Sequence, residues 1–151
     1  MSLKERLAEL SAELAELATK AGRSPEEIKL IAVSKTHPSE LITEAFQAGQ
    51  LRFGENRVQE ASEKIERLQN PDIEWHLIGH LQKNKTRFCP GLFDWSHSVD
   101  SQELLELLEK QCALQSQPIQ ILLQANLSQE DSKSGVSDYD NLCRLLEKTQ
   151  K

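Results

Sequence analysis

Residues 31–60 read IAVSKTHPSELITEAFQAGQLRFGENRVQE and place one lysine, Lys35, between an apolar run and a helical pattern. Ile28, Leu30, Ile31, Ala32 and Val33 form a short run with β-branched members, as a buried strand requires. Pro38 followed by Leu41, Ile42, Ala45 and Phe46 has the spacing of a helix. The stretch predicts strand, short loop and helix, with Lys35 at the carboxyl end of the strand. Open α/β sheets bind ligands at that end, and burial there lowers an amine toward the neutral form that attacks carbonyls. A solvated loop lysine is the alternative that position alone leaves open.

Outward from this unit the same alternation repeats. Leu3, Leu7, Leu10, Leu14 and Leu17 predict an amphipathic helix over 3–20, stopped near Gly22 and followed by a capped turn at Ser24–Glu27. After the helix at 38–48 come a strand at Leu51–Gly54, a helix at 57–69 and a strand at Glu74–Gly79. A weaker helix near 82–88, a strand near 93–97, a helix at 101–116, a strand at Ile119–Asn126 and a helix opening near Ser137 or Asp138 complete the pattern. Five β-then-α units argue for a parallel sheet with helical crossovers, either a (β/α)8 barrel or a doubly wound sheet.

The bulk numbers narrow the function classes. Eighteen basic against 24 acidic residues give a net charge of −6, a field that repels phosphate backbones and disfavours nucleic acid as a partner. Cys89, Cys112 and Cys143 are odd in number and widely spaced, which fits neither a disulfide framework nor a zinc ribbon. The chain has no run of about 18 apolar residues, and residues 1–20 are charged and amphipathic, so the expectation is a reduced, cytoplasmic protein without a membrane span.

Several strand-end residues are candidates for a site. Asn56, in FGEN, falls on the same rim as Lys35, as a ligand contact or as the N-cap of the next helix. His76 and His80 lack the Glu of H-E-x-x-H and read as strand, which argues against a metal pair and leaves His80 as the residue at the mouth. Ser132, Lys133, Ser134 and Gly135 follow the fifth strand, where small residues let backbone N–H groups approach an anion and Lys133 supplies a second amine. Gln82, Lys83, Asn84 and Lys85 read as a solvated loop, and Asp100 or Ser101 as the cap of helix 101–116. Alternation turns Ser34 to the face opposite Lys35, and the acidic residues mostly decorate helix faces.

Five blocks in order, AVSKTHP at 32–38, FGENRVQE at 53–60, EWHLIGHLQKNK at 74–85, HSVDS at 97–101 and ANLSQEDSKSGV at 125–136, closely resemble the YggS/PROSC family of pyridoxal-phosphate homeostasis proteins. The resemblance implies a TIM-type (β/α)8 barrel like the N-terminal domain of alanine racemase, with an extra N-terminal helix. It also implies that Lys35 carries pyridoxal 5′-phosphate as a Schiff base, with Asn56 and His80 beside the cofactor and Lys133, Ser134 and Gly135 on the same rim. About 250 residues and eight strands make a whole barrel, so five β/α units are expected to be its N-terminal portion, residues 1–151 forming one domain. In the resembling family the phosphate is held by Gly/Ser turns after later strands, and no phosphate-cradling glycine motif stands in for them here.

The implied function is a cofactor carrier or buffer in vitamin B6 homeostasis, without turnover, whose partners are pyridoxal-phosphate-dependent apoenzymes. A racemase-like enzyme would use the same attachment with a base on the far face of the ring, and the single tyrosine, Tyr139, lies in the last helix. A cofactor-free interaction module using the Leu stripe or a sheet edge is the third class.

Overall fold

The computed structural model describes residues 1–128, 130 and 132–149. Its order is α1 (Leu3–Lys20), β1 (Ala32–Val33), α2 (Ser39–Gln47), β2 (Arg52–Glu55), α3 (Val58–Leu68), β3 (Glu74–Leu77), β4 (Trp95–Val99), α4 (Gln102–Gln115), β5 (Gln120–Leu123) and α5 (Tyr139–Thr149). Short 3-10 turns occupy Pro25–Glu27 and Lys83–Phe88. All strand pairs are parallel, and the strands lie side by side in sequence order. A doubly wound sheet reverses direction partway, whereas this one keeps stepping the same way, as a barrel wall does. Among the described residues β1 pairs only with β2 and β5 only with β4, so the wall does not close on itself.

Three departures from the sequence reading have a local cause. The first strand pairs over two residues because the Gln50 side chain, not a ladder partner, donates to the Leu30 carbonyl (2.9 Å) and also to Arg52 O (2.6 Å). The segment expected as a weak helix is a 3-10 turn, with Cys89 N–H on Thr86 O. Phe93 was expected to open a strand, but its N–H is taken by the Cys89 carbonyl and it folds into the core, so β4 begins at Trp95. Helix α4 is capped by Ser101, whose hydroxyl accepts from Leu104 N, and Asp138 accepts from Asp140 and Asn141 N–H ahead of α5. The Leu stripe of α1 is split: Leu3 and Leu7 pack on the core, while Leu10 and Leu17 remain exposed.

Alternation along the strands separates two faces. The outer face is apolar: the Phe53 and Trp75 ring centroids lie 5.9 Å apart, with Ile42 and Ala45 of α2, Val58 and Ala61 of α3, and Leu104 and Leu108 of α4 closing over them. The inner face carries a polar layer. Glu74 lies between Arg52 (3.2 Å to Nε) and His76 (3.1 Å to Nε2), and His76 Nδ1 meets His97 Nε2 at 2.9 Å, with Trp95 stacked parallel on His76 at 6.0 Å. Both imidazoles titrate below their ordinary value: burial is the main cause in each, opposed at His76 by the Glu74 carboxylate.

Above this layer the strand tips converge closely. A Cβ on Gly79 would sit 2.2 Å from the Asn56 carbonyl oxygen, so only glycine lets the β3 tip pass the β2 tip. Gly79→Ala is expected to lower unfolding stability by about 2–4 kcal/mol, read from urea unfolding. Because the fold favours neutral His76 and His97, the unfolded chain takes up protons first as pH drops below 6.5, and stability falls with it. A urea midpoint that stays flat from about pH 7 to about pH 5 would contradict this.

Candidate functional site

Parallel strands bring all five carboxyl ends to one rim, so Lys35, Asn56, His80 and the segment after β5 lie on the same rim by topology. The last ladder bond of β1, Ser34 N–H to Gly54 O at 2.9 Å, sets Lys35 just beyond it, across from the step between Glu55 and Asn56. Lys35 is exposed, which corrects the expectation of a buried amine: β1 is the edge of the sheet, and the strand ends before any element covers its tip. Lys20, Lys64, Lys83, Lys133 and Lys148 each sit on a carboxylate. Among the described residues none approaches the Lys35 ammonium within salt-bridge distance.

The backbone around Lys35 is tightly held. Ser34 points to the outer face and donates from Oγ to Glu55 Oε1 at 2.6 Å. Thr36, on the other side, has φ 65° and sends its N–H to Glu60 Oε1 at 2.6 Å. A β-branched residue in the left-handed region costs on the order of 1–3 kcal/mol and persists only where its surroundings impose it. Lys64 Nζ ties the two flanks together, donating to Ser34 O, Glu55 Oε1 and Glu60 Oε1, each at 2.8 Å. Burial works to lower the Lys64 ammonium, but the hydrogen bonds it donates to Glu55 and Glu60 outweigh it and hold the group above its ordinary value. The Lys64 hydrogen bond, then the Thr36 amide, pull the Glu60 carboxyl below its usual range.

Two cavities open on the rim and share His80. The first, 540 Å³, is lined by Asn56, Arg57, Gly79, His80, Gln82 and Lys85. The second, 420 Å³, is bordered by Ile78, His80, Gln124, Asn126, Lys133 and Ser134. Asn56 is not the cap of α3; that place falls to Arg57, whose side chain makes no capping bond, and Val58 and Gln59 of the first turn also line the first cavity. Lys85, read as solvated, is half-buried in that lining. His76, by contrast, is turned into the polar layer, and only His80 of the two histidines reaches the mouth.

The segment after β5 divides. Lys133 and Ser134 line the second cavity, with Lys133 paired to Glu130 at 2.6 Å and the Ser134 carbonyl accepting from Gln124 Nε2 at 3.2 Å. Gly135 lies apart, in a cavity with Asp100, Asp138 and Arg144. It has φ 125° and passes so close to Ala125 and Asn126 that a Cβ would meet their backbone at 2.8 Å. Its glycine is required by that approach, next to the bridge between Ala125 and Val136.

Sequence reasoning missed Glu55, Glu60 and Lys64. The available signal was a lysine on the apolar stripe of α3, Val58, Ala61, Ile65 and Leu68, four residues after a glutamate. Lys35 borders neither cavity lining; it stands at the adjoining tip, on the Asn56 side.

The pyridoxal phosphate homeostasis protein of Escherichia coli (strain K12) is 44% identical over 145 residues, 93% of this chain and 62% of that protein. Its counterpart in Vibrio alginolyticus is 43% identical over 143 residues, covering 92% of this chain and 61% of its own. PipY of Synechococcus elongatus PCC7942, solved without PLP, superposes with a TM-score of 0.86 at 41% identity, over 99% of this chain and 65% of PipY. PipY with PLP bound matches with a TM-score of 0.77 at 42% identity, over 91% and 64%. The chain thus spans about three fifths of the length of the curated relatives it matches. Since the family model described as alanine racemase, N-terminal domain, matches residues 6–151, the same strands and rim described above, the chain belongs to that family.

Proposed function

We propose that this chain binds pyridoxal 5′-phosphate through Lys35 and serves intracellular homeostasis of that cofactor, holding and releasing it without turnover of its own. The observation that carries the reading is the exposed Lys35 amine at the strand-tip rim, with the backbone on both sides anchored. The names of the relatives, and the PLP bound to PipY, point the same way. When bound, the cofactor supplies an aldehyde that a primary amine joins with loss of water, and a phosphate that calls for N–H and cationic donors.

The residues present fit those demands. An exposed amine without a carboxylate partner among the described residues is held by no salt bridge that attachment to an aldehyde would have to break. Asn56 and His80 offer polar contacts at the neighbouring tips, and Arg57, Lys85 and Lys133 put positive charge around them. In this reading Lys133 and Ser134 hold the far side of the mouth, while Gly135 shapes the turn that presents them.

The same reading makes residues 1–151 one domain, the N-terminal part of a barrel of eight strands that closes over the inner face in the whole protein. It places the protein in the cytoplasm and makes pyridoxal-phosphate-dependent apoenzymes its recipients; no helix among the described residues is long and apolar enough to cross a membrane. A racemase-like activity would need a second acid/base group at the rim, and Tyr139 is exposed at the start of α5.

Incubation with pyridoxal phosphate is expected to produce an absorption band near the visible edge that Lys35→Ala abolishes. A band of equal strength in Lys35→Ala would refute attachment at this residue, and turnover of amino acids by the loaded protein would favour the enzyme.

A further inference from the structure

We propose that Glu60 is a positioning residue for Lys35, fixing the turn after β1 so that the amine faces the rim. The inference rests on the reading of Lys35 above and deepens it. Three hydrogen bonds shape the turn. His37 N–H to Ser34 O at 3.0 Å and Thr36 Oγ1 to Lys35 O at 2.6 Å are internal to it. The Thr36 N–H bond to Glu60 reaches across to α3 and couples the turn to the rest of the fold.

Thr36 is where such a tie is needed. Its positive φ is disfavoured for a β-branched side chain, so an unanchored turn relaxes toward negative φ and reorients the peptide that follows Lys35. The Glu60 carboxylate opposes that relaxation with a charge-assisted bond. It is itself held by Lys64, one turn further along α3, and the same ammonium grips Ser34 O on the other side of Lys35. Both flanks of Lys35 therefore end on a single cation that burial and Glu55 keep in place. Glu60 stays partly exposed, so its removal opens no cavity in the apolar core.

The test compares Glu60→Ala, Glu60→Gln and, as a control from the solvent side of the same helix, Glu63→Ala. Two quantities are read in the full chain: hydrogen exchange of the Thr36 amide without ligand, and the rate at which the absorption band grows with pyridoxal phosphate. In Glu60→Ala the Thr36 amide is expected to exchange about tenfold faster or more, and the band to form slower by a similar factor. Glu60→Gln keeps an acceptor for the Thr36 N–H and is expected to stay within about threefold of the parent in both, as is Glu63→Ala.

Unchanged exchange and unchanged band growth in Glu60→Ala overturn the proposal while leaving attachment at Lys35 intact. Faster exchange with unaltered band growth also overturns it, because the turn would then not govern the amine. Glu60→Gln behaving like Glu60→Ala overturns the acceptor role. Absence of any band in the parent refutes the attachment at Lys35, and with it a positioning role toward that cofactor.

Discussion

The ammonium of Lys64 joins three pieces of the fold: the end of β1 through Ser34 O, the end of β2 through Glu55, and the first turn of its own helix through Glu60. Glu55 is fully buried, so this is an interior ion pair and subject to the penalty of taking charge out of water. Such pairs add little net stability over an apolar substitute, but removing one partner strands the other without solvent. The arrangement therefore acts chiefly as a fastener of geometry. Strand, strand and helix keep one relative placement, and the short chain between Ser34 and Thr36 inherits it.

The two faces of the sheet divide the labour. Outside, aromatic and aliphatic side chains dock three helices and supply the burial that drives folding. Inside, Arg52, Glu74, His76 and His97 run across neighbouring strands, backed by Trp95. Arg52 meets Glu74 and His76 meets His97 across neighbouring strands, and together they form a floor beneath the rim. The rim itself is made of single residues at successive tips, and Gly79 lets two of those tips come into van der Waals contact.

Much of this was legible beforehand where periodicity is strong. Helices α1 to α4 fall within a residue of where the apolar spacing puts them, and Lys35, Asn56 and His80 lie at strand ends as alternation and register imply. The first, third and fifth strands extend over fewer residues than their apolar runs, and β2 and β4 begin one and two residues later than the spacing puts them. Apolar runs report burial, whereas pairing depends on partners such as the Gln50 side chain and the Cys89 carbonyl, which local composition does not reveal. The order of strands was also beyond periodicity, which cannot distinguish a sheet that steps one way from a sheet that turns back; the resemblance to a known family supplied it. At the site, the exposure of Lys35 and the separation of Gly135 from Lys133 and Ser134 are tertiary facts. Glu55 and Lys64 escaped notice because charged residues are normally solvated, and a buried pair is recognised only once both partners are placed.

Ser34 and Lys35 are adjacent and lie on opposite sides of β1, one hydroxyl feeding the interior salt bridge and one amine standing in water. Their roles are set by parity alone. Inserting or deleting a single residue upstream in β1 would rotate every side chain to the other surface, presenting a serine to the rim and turning a lysine toward Glu55. The spacing between Ala32 and Thr36 is thus intolerant of length change, even though the strand itself is paired over only two residues.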